Sequence, residues 1–166
     1  MEDVMNGREP FAELTLRSVD ASDVEAIIDA FRALSPRSIY RRFFTMTPDP
    51  APLVRRHLAL VDHQDHEALV VLDGDEVIGV ANWDRLGCCP GEAEIAITIA
   101  EAWQHHGLGR VLIKALAGDA HRHGIDTLNA TVLTDNRPAL GLAASNHPSK
   151  VQIEGPEAHL VFDTAS

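Results

Sequence analysis

One stretch narrows the choice of fold more than any other: AEIAITIAEAWQHHGLGRVLIKAL, residues 93–116. Its first part sets isoleucine at every second position, the period-two pattern of a strand. Its last part carries Leu108, Val111, Leu112, Ala115 and Leu116 on one helical face. Between them stands Gln-His-His-Gly-Leu-Gly. Glycines where a strand hands over to a helix let the backbone approach a ligand closely. Bare amides at a helix start attract an anion. The segment therefore predicts a strand, an anion-binding loop and a helix from about Gly107 to His123.

Two familiar anion patterns fail here. The dinucleotide fingerprint needs a third glycine where this chain has Leu112, and Asp126 begins the next strand instead of ending it. A Walker loop needs lysine and a hydroxyl residue after its second glycine, where Arg110 and Val111 stand.

The rest of the chain supplies a frame. Its 166 residues suit one domain, 1–166, with residues 1–10 expected as a flexible lead. FAELTLRSV alternates as a strand near 11–19, and DASDVEAIIDAFRAL reads as a helix with Asp20 or Ser22 as N-cap. SPRSIYRRFF and APLVRRHLAL begin two more helices. EALVVLDGDEVIGVANW is a hairpin turning at Asp73-Gly74. A strand over Ala93–Ala100, the strand DTLNATVLT, a short helix NRPALGLAAS and closing strands KVQIEG and AHLVFD complete the pattern. The order predicts an α/β (α+β) fold: a mixed, mostly antiparallel sheet of six to seven strands flanked by about four helices.

Charge and composition exclude several function classes. A net charge of −11 argues against nucleic acid and mildly favours a cationic substrate by steering. No apolar run approaches the roughly 20 residues of a membrane span. The start MEDVMNGREP is no signal peptide, and Cys88-Cys89 form no disulfide framework, so the expected location is cytoplasmic.

A third anion pattern does match. Gln104 through Gly109 is Q-x-x-G-x-G, and the motif resembles the acyl-CoA signature of the GNAT superfamily of N-acetyltransferases. The strand before it, the helix after it and the later LTDNRPAL, with Asn136, Ala139 and Leu142 in register, occur in the order that superfamily shows. The similarity is clearest over 91–142. It implies the GNAT fold and acetyl-CoA as co-substrate, with no metal. The amides of His105, His106, Gly107, Leu108, Gly109 and Arg110 would face the pyrophosphate, with Gln104 opening the loop. Gly107 and Gly109 would remove Cβ atoms that hold phosphates off. Arg110 is either an added positive charge or an exposed helix arginine. Ile97, Thr98 and Ile99 would pair their backbone with the pantetheine arm. Asn136 either approaches the cofactor or serves as a helix N-cap.

Acyl transfer to an amine needs a base, because a lysine-type amine with a pKa of about 10.4 is almost wholly protonated at neutral pH. Glu94 shares a strand face with Ala96 and Thr98 in a run nearly free of charge, so partial desolvation is expected to suit it to that role. Glu92 and Asp84 are its rivals. The superfamily's usual general-acid tyrosine position holds Ala143, leaving Ser145 as a guess; otherwise the thiolate leaves unassisted.

SPRSIYRRFF and the hairpin after it resemble bacterial protein lysine acetyltransferases of the Pat type. That likeness implies a protein lysine acceptor, such as one in an acyl-CoA synthetase. With about ten residues before the first strand, no regulatory cyclic-nucleotide domain is expected in cis. A small amine, polyamine or aminoglycoside acceptor, or a non-catalytic acyl-CoA sensor, remains the alternative. Tyr40, Phe43 and Phe44 are expected as core anchors, with Arg37, Arg41 and Arg42 forming a solvated face. His63-Gln-Asp-His66 has ligand types but no completing set, so no metal site is expected. Cys88 and Cys89 lack a visible basic partner and are not expected to be nucleophiles.

Overall fold

The computed structural model describes residues 11–165. The expected flexible lead, residues 1–10, lies outside the described residues. Seven strands form one sheet in the order β1-β2-β3-β4-β5-β7-β6. They are β1 (Thr15–Ser18), β2 (His66–Asp73), β3 (Glu76–Leu86), β4 (Cys89–Ile99), β5 (Thr127–Leu133), β6 (Lys150–Glu154) and β7 (Glu157–Asp163). Every neighbouring pair is antiparallel except β4 with β5. Five helices accompany them: α1 (Val24–Arg32), α2 (Pro36–Phe43), α3 (Ala51–Leu58), α4 (Leu108–Arg122) and α5 (Arg137–Ser145). The architecture is the mixed, mostly antiparallel sheet the sequence predicts.

The sheet buries both faces. Leu69, Val71, Ala81, Trp83, Ala93 and Ile95 pack against Leu108, Leu112 and Leu116 of α4. Ala68, Val70, Leu72 and Val80 meet Ile27, Ile28 and Phe31 of α1, Ile39 of α2 and Val54 of α3 on the other side. Two-sided burial explains why the centre of β2 reads as an unbroken apolar run. Trp83 is fully buried, and its indole N–H donates to Asp119 Oδ2 at 2.8 Å.

Local chemistry sets most boundaries. Asp20 is the N-cap of a single 3-10 turn (Ala21–Asp23) leading into α1; it accepts from the Ser22 amide at 2.7 Å, while Asp23 accepts from the Asp20 amide at 2.9 Å. Ser35 caps α2 by accepting from the Ser38 amide at 3.2 Å. Gly124, at φ +75°, follows the end of α4.

Some boundaries differ from the sequence reading. The first strand is only Thr15–Ser18, because the Leu14 amide donates to the Phe11 carbonyl and closes a turn there. The first hairpin turns on Gly74 and Asp75, with Asp73 paired to Glu76 and Gly74 at φ +59°. β4 begins at Cys89, so Cys89 and Glu92 are strand residues, and Val111 lies on the exposed side of α4. β6 is exposed along its whole length at the sheet edge.

The chain enters β2 through a turn built on Asp62, whose Oδ1 accepts from the amides of Gln64, Asp65 and His66 at 2.8–2.9 Å. These donors hold the carboxyl down at about 2, below its ordinary 3.8. A depressed carboxylate stabilises the fold above its unfolded pKa and loses that contribution as pH falls through the folded value. The melting temperature of Asp62→Ala should therefore lie below wild type by a steady margin at pH 5–7. That margin should shrink as the pH is taken from about 4 toward 2.

Candidate active site

The cavity originates in a split between the two parallel strands. β4 and β5 register only at Glu92↔Thr127, Ala93↔Leu128 and Glu94↔Asn129. Beyond Glu94 the strands no longer pair; β4 stays with β3 as far as Gly79↔Ile99, and β5 stays with β7. A cavity of about 570 Å³ has Ile95–Ile99 on one wall and Ala130–Val132 on another. Backbone amides and carbonyls along this edge of β4 face a gap instead of a strand. The Thr98 hydroxyl also lies buried there without a hydrogen-bond partner. Such an edge suits an extended chain bearing amide groups.

The glycine loop closes one end. The Gln104 side chain donates to the Ile99 carbonyl at 3.0 Å and ties the loop to the end of β4. His105 and Gly107 take left-handed backbone angles, φ +64° and +89°, and Gly107 is the N-cap of α4 with no side-chain cap. Uncapped first-turn amides and the positive end of the helix dipole therefore meet at the loop. Gln104, His105, Gly107, Gly109 and Arg110 line the cavity. His106 is exposed, and the Leu108 side chain points into the core, so only the backbones of these two belong to the loop.

Gly109 has a packing reason of its own. A Cβ built on it would sit 2.7 Å from Leu142 Cδ2, so its lack of a side chain lets α5 close against α4. Asn136 lines the cavity and also caps α5, its Oδ1 accepting from the Ala139 amide at 3.3 Å.

The opposite end is polar and charged. Glu94 and Asp84 are direct cross-strand partners on β4 and β3, so both carboxylates lie on one face, and both line the cavity. Glu94 is exposed to the cavity, not partly buried as its strand run suggests. Of its rivals, Glu92 is taken by Asn129, whose Nδ2 donates to it at 3.0 Å. Asp84 accepts from Asn82 Nδ2 at 2.7 Å, lies 2.8 Å from His66 Nδ1 and has His57 Nε2 at 3.8 Å.

Two of the three arginines reverse the expected arrangement of α2, while Arg37 is exposed as expected. Arg41 and Arg42 turn inward to line the cavity, whereas Tyr40 and Phe44 are exposed. Arg42 donates to Asn82 Oδ1 at 3.1 Å and stacks on the Phe43 ring at 4.9 Å. Burial pushes its pKa below the usual arginine value, while Asp84 and Glu94 pull it back up. Arg41 reaches across to the Asp135 carbonyl at 3.3 Å, joining α2 to the turn after β5. Phe43 does anchor the core, its ring 5.7 Å from that of Phe31. Arg42, His57 and Asn82 are the site residues missing from the sequence reading. Helical spacing carried the signal for two of them: Arg42 follows the buried Ile39 by three residues, and His57 follows the buried Val54 by three.

Ser145 offers no general acid, since its hydroxyl donates to the Leu142 carbonyl at 2.8 Å and lies outside the cavity. Ala143 is buried. Among the described residues no group of three or more His, Cys, Asp or Glu side chains could hold a metal ion, and no helix is long and apolar enough to cross a membrane.

The fold is shared with known proteins. The model of the acetyltransferase (GNAT) family matches residues 33–147, more than half of the chain. This chain belongs to the GNAT family. Over 123 residues it is 35% identical to acetyltransferase Pat of Mycolicibacterium smegmatis, a match covering 73% of this chain and 37% of that protein. The chain thus spans well under half the length of that relative. The GNAT domain of S. lividans PAT superposes with a TM-score of 0.81 at 27% identity, covering 89% of each chain. A GNAT-superfamily phosphinothricin acetyltransferase from Sinorhizobium meliloti, solved with acetyl-CoA, shares the fold at a TM-score of 0.75 and 17% identity, over 91% of this chain and 88% of the other.

In this GNAT domain the loop is built partly by α5, which a double substitution can test. Gly109→Ala should lower stability by about 1–3 kcal/mol through overpacking against Leu142. In a Leu142→Ala background the same change should cost much less, as read from denaturant midpoints.

Proposed function

We propose that this GNAT domain is an acetyl-CoA-dependent N-acetyltransferase that acts on a primary amine, a protein lysine side chain. The observation that carries the reading is the meeting, in one cavity, of an unpaired strand edge, an uncapped helix start and the Glu94 carboxylate. The chain's own groups suit the co-substrate. The β4 edge at Ile97, Thr98 and Ile99 matches the amide-bearing pantetheine arm. The amides from His105 to Arg110, with the Arg110 side chain, suit the pyrophosphate, Gln104 holds their loop in place, and Asn136 borders the same space.

Glu94 lies at the point where the strands part. From there it would take the proton of the acceptor ammonium, directly or through water, as the amine attacks the thioester carbonyl in a ternary complex. The thiolate leaves unassisted or takes a proton from water, its pKa being close to the roughly 8.5 of a thiol. A lysine acceptor draws support from the likeness to Pat of M. smegmatis and to the S. lividans PAT domain. The net charge of −11 also favours a cationic acceptor. Two free thiols, Cys88 and Cys89, suit a reducing compartment such as the cytoplasm.

The test is release of CoA thiol from acetyl-CoA with a panel of acceptors: an acyl-CoA synthetase, a polyamine and an aminoglycoside. Wild type should turn over with the protein acceptor. Glu94→Gln should lower kcat by about 10²–10⁴-fold while acetyl-CoA binding persists. Tight binding with no turnover on any acceptor would instead make the domain a sensor.

A further inference from the structure

The acceptor end of the cavity contains two carboxylates in unequal surroundings, and the difference divides their labour. Asp84 and Glu94 face each other across β3 and β4, where side chains on one face stand roughly 4.5–5.5 Å apart at Cβ. Asp84 is held: Asn82 donates to one oxygen at 2.7 Å, and His66 Nδ1 lies 2.8 Å from the other. Its side chain is about a quarter exposed, at 26%. Glu94 is exposed to the cavity. A carboxylate fixed in direction suits binding, whereas one open to the cavity suits proton transfer.

We propose that Asp84 is the acceptor-binding carboxylate of this site, holding the incoming alkylammonium beside Glu94 and selecting a cationic amine on an unbranched aliphatic stem. The inference rests on the acetyl-transfer reading of the cavity. Three features of the surroundings carry it. Of the two inward arginines, Arg41 reaches away to the Asp135 carbonyl, and Arg42 is the one that interacts with both Asp84 and Glu94. Beside these two carboxylates stands one guanidinium, which leaves a negative charge that one ammonium neutralises. The rings of Phe43 and Phe44 border the same end and offer apolar surface to a methylene stem. The buried His57 Nε2 has no hydrogen-bond partner and stands 3.8 Å from Asp84 Oδ2, where burial favours the neutral imidazole.

The groups around Asp84 also set its pH response. They are Arg42 on α2, His57 on α3, His66 on β2, Asn82 on its own strand and Glu94 on β4. Burial pushes the His57 imidazole below its ordinary value; Asp84 works against that, while Arg42 and His66 add to it. Protonating His57 places a cation against Asp84 and competes with the acceptor. Acceptor binding is therefore strongest while His57 is neutral and weakens as pH falls below the ordinary histidine value.

The experiment measures acetyl transfer to Nα-acetyl-lysine methylamide and, separately, binding of that compound and of its norleucine counterpart, which carries a methyl in place of the amine. Asp84→Asn should raise the acceptor KM about tenfold or more, leave kcat within about threefold and leave acetyl-CoA affinity unchanged, the reverse of the split expected for Glu94→Gln. The acceptor KM of wild type should rise toward acid pH, and that rise should vanish in Asp84→Asn. An unchanged KM, or a kcat loss matching that of Glu94→Gln, overturns the assignment. Binding decides the matter if no acceptor is turned over or if the variant fails to fold. Wild type should bind the lysine compound at least tenfold more tightly than the norleucine compound, and the ring resonances of His66 should move when it binds. Equal binding, or a silent His66, overturns the assignment whether or not the domain proves to be a transferase.

Discussion

The site depends on one limit of hydrogen bonding: β4 cannot follow β3 and β5 together along its length. Three registered residues join β4 to β5, and then each strand keeps its antiparallel partner. Parallel pairing is the weaker of the two geometries, so the parallel seam is where the sheet opens. A strand edge opened inside a sheet differs from an edge at the border. β6, at the border, is exposed throughout, whereas the opened edge of β4 is flanked by α4, α5 and α2. That shelter turns an edge into a binding surface.

The loop over the split shows how packing and ligand geometry share residues. Gly107 is required by its φ of +89°, a conformation that costs other residues about 1–2 kcal/mol. Gly109 is favoured by Leu142, whose Cδ2 would lie 2.7 Å from an added Cβ. Asn136 fixes the start of α5, and α5 brings Leu142 to Gly109. The second glycine and the distant asparagine thus serve one contact between helices, and that contact sets where the first-turn amides point.

Those same residues explain what was legible in the sequence. The strand–loop–helix unit was readable because period two, glycine and period 3.6 succeed one another within residues 93–116. Asn136 was readable as a cap for the same local reason. The charged end of the cavity was not, because α2 and α3 lie far from β4 in the chain and their orientation follows from tertiary packing. Charge alone sends Arg41 and Arg42 to solvent; the helical phase of Ile39 and Phe43 sends them inward. Glu94 was found from its strand face, but its exposure was not, since the splitting of β4 from β5 leaves no mark in the alternation of either strand. Val111 likewise continued the apolar face on paper while lying at its solvent margin.

The inward arginine resolves a conflict that the strand register creates. Like charges directly opposite in an antiparallel pair destabilise a sheet. Asp84 and Glu94 are such a pair. Arg42 sits close enough to both for each to raise its pKa against the lowering by burial. Asn82 links the two sides of this arrangement, accepting from Arg42 at 3.1 Å and donating to Asp84 at 2.7 Å. A buried cation is costly unless it is paired, and here its neighbours are the two anions that need it. The charges of α2, β3 and β4 therefore constrain one another. Two carboxylates, Glu94 and Asp84, can occupy adjacent strands because the third charge comes from a helix that sequence alone would turn the other way.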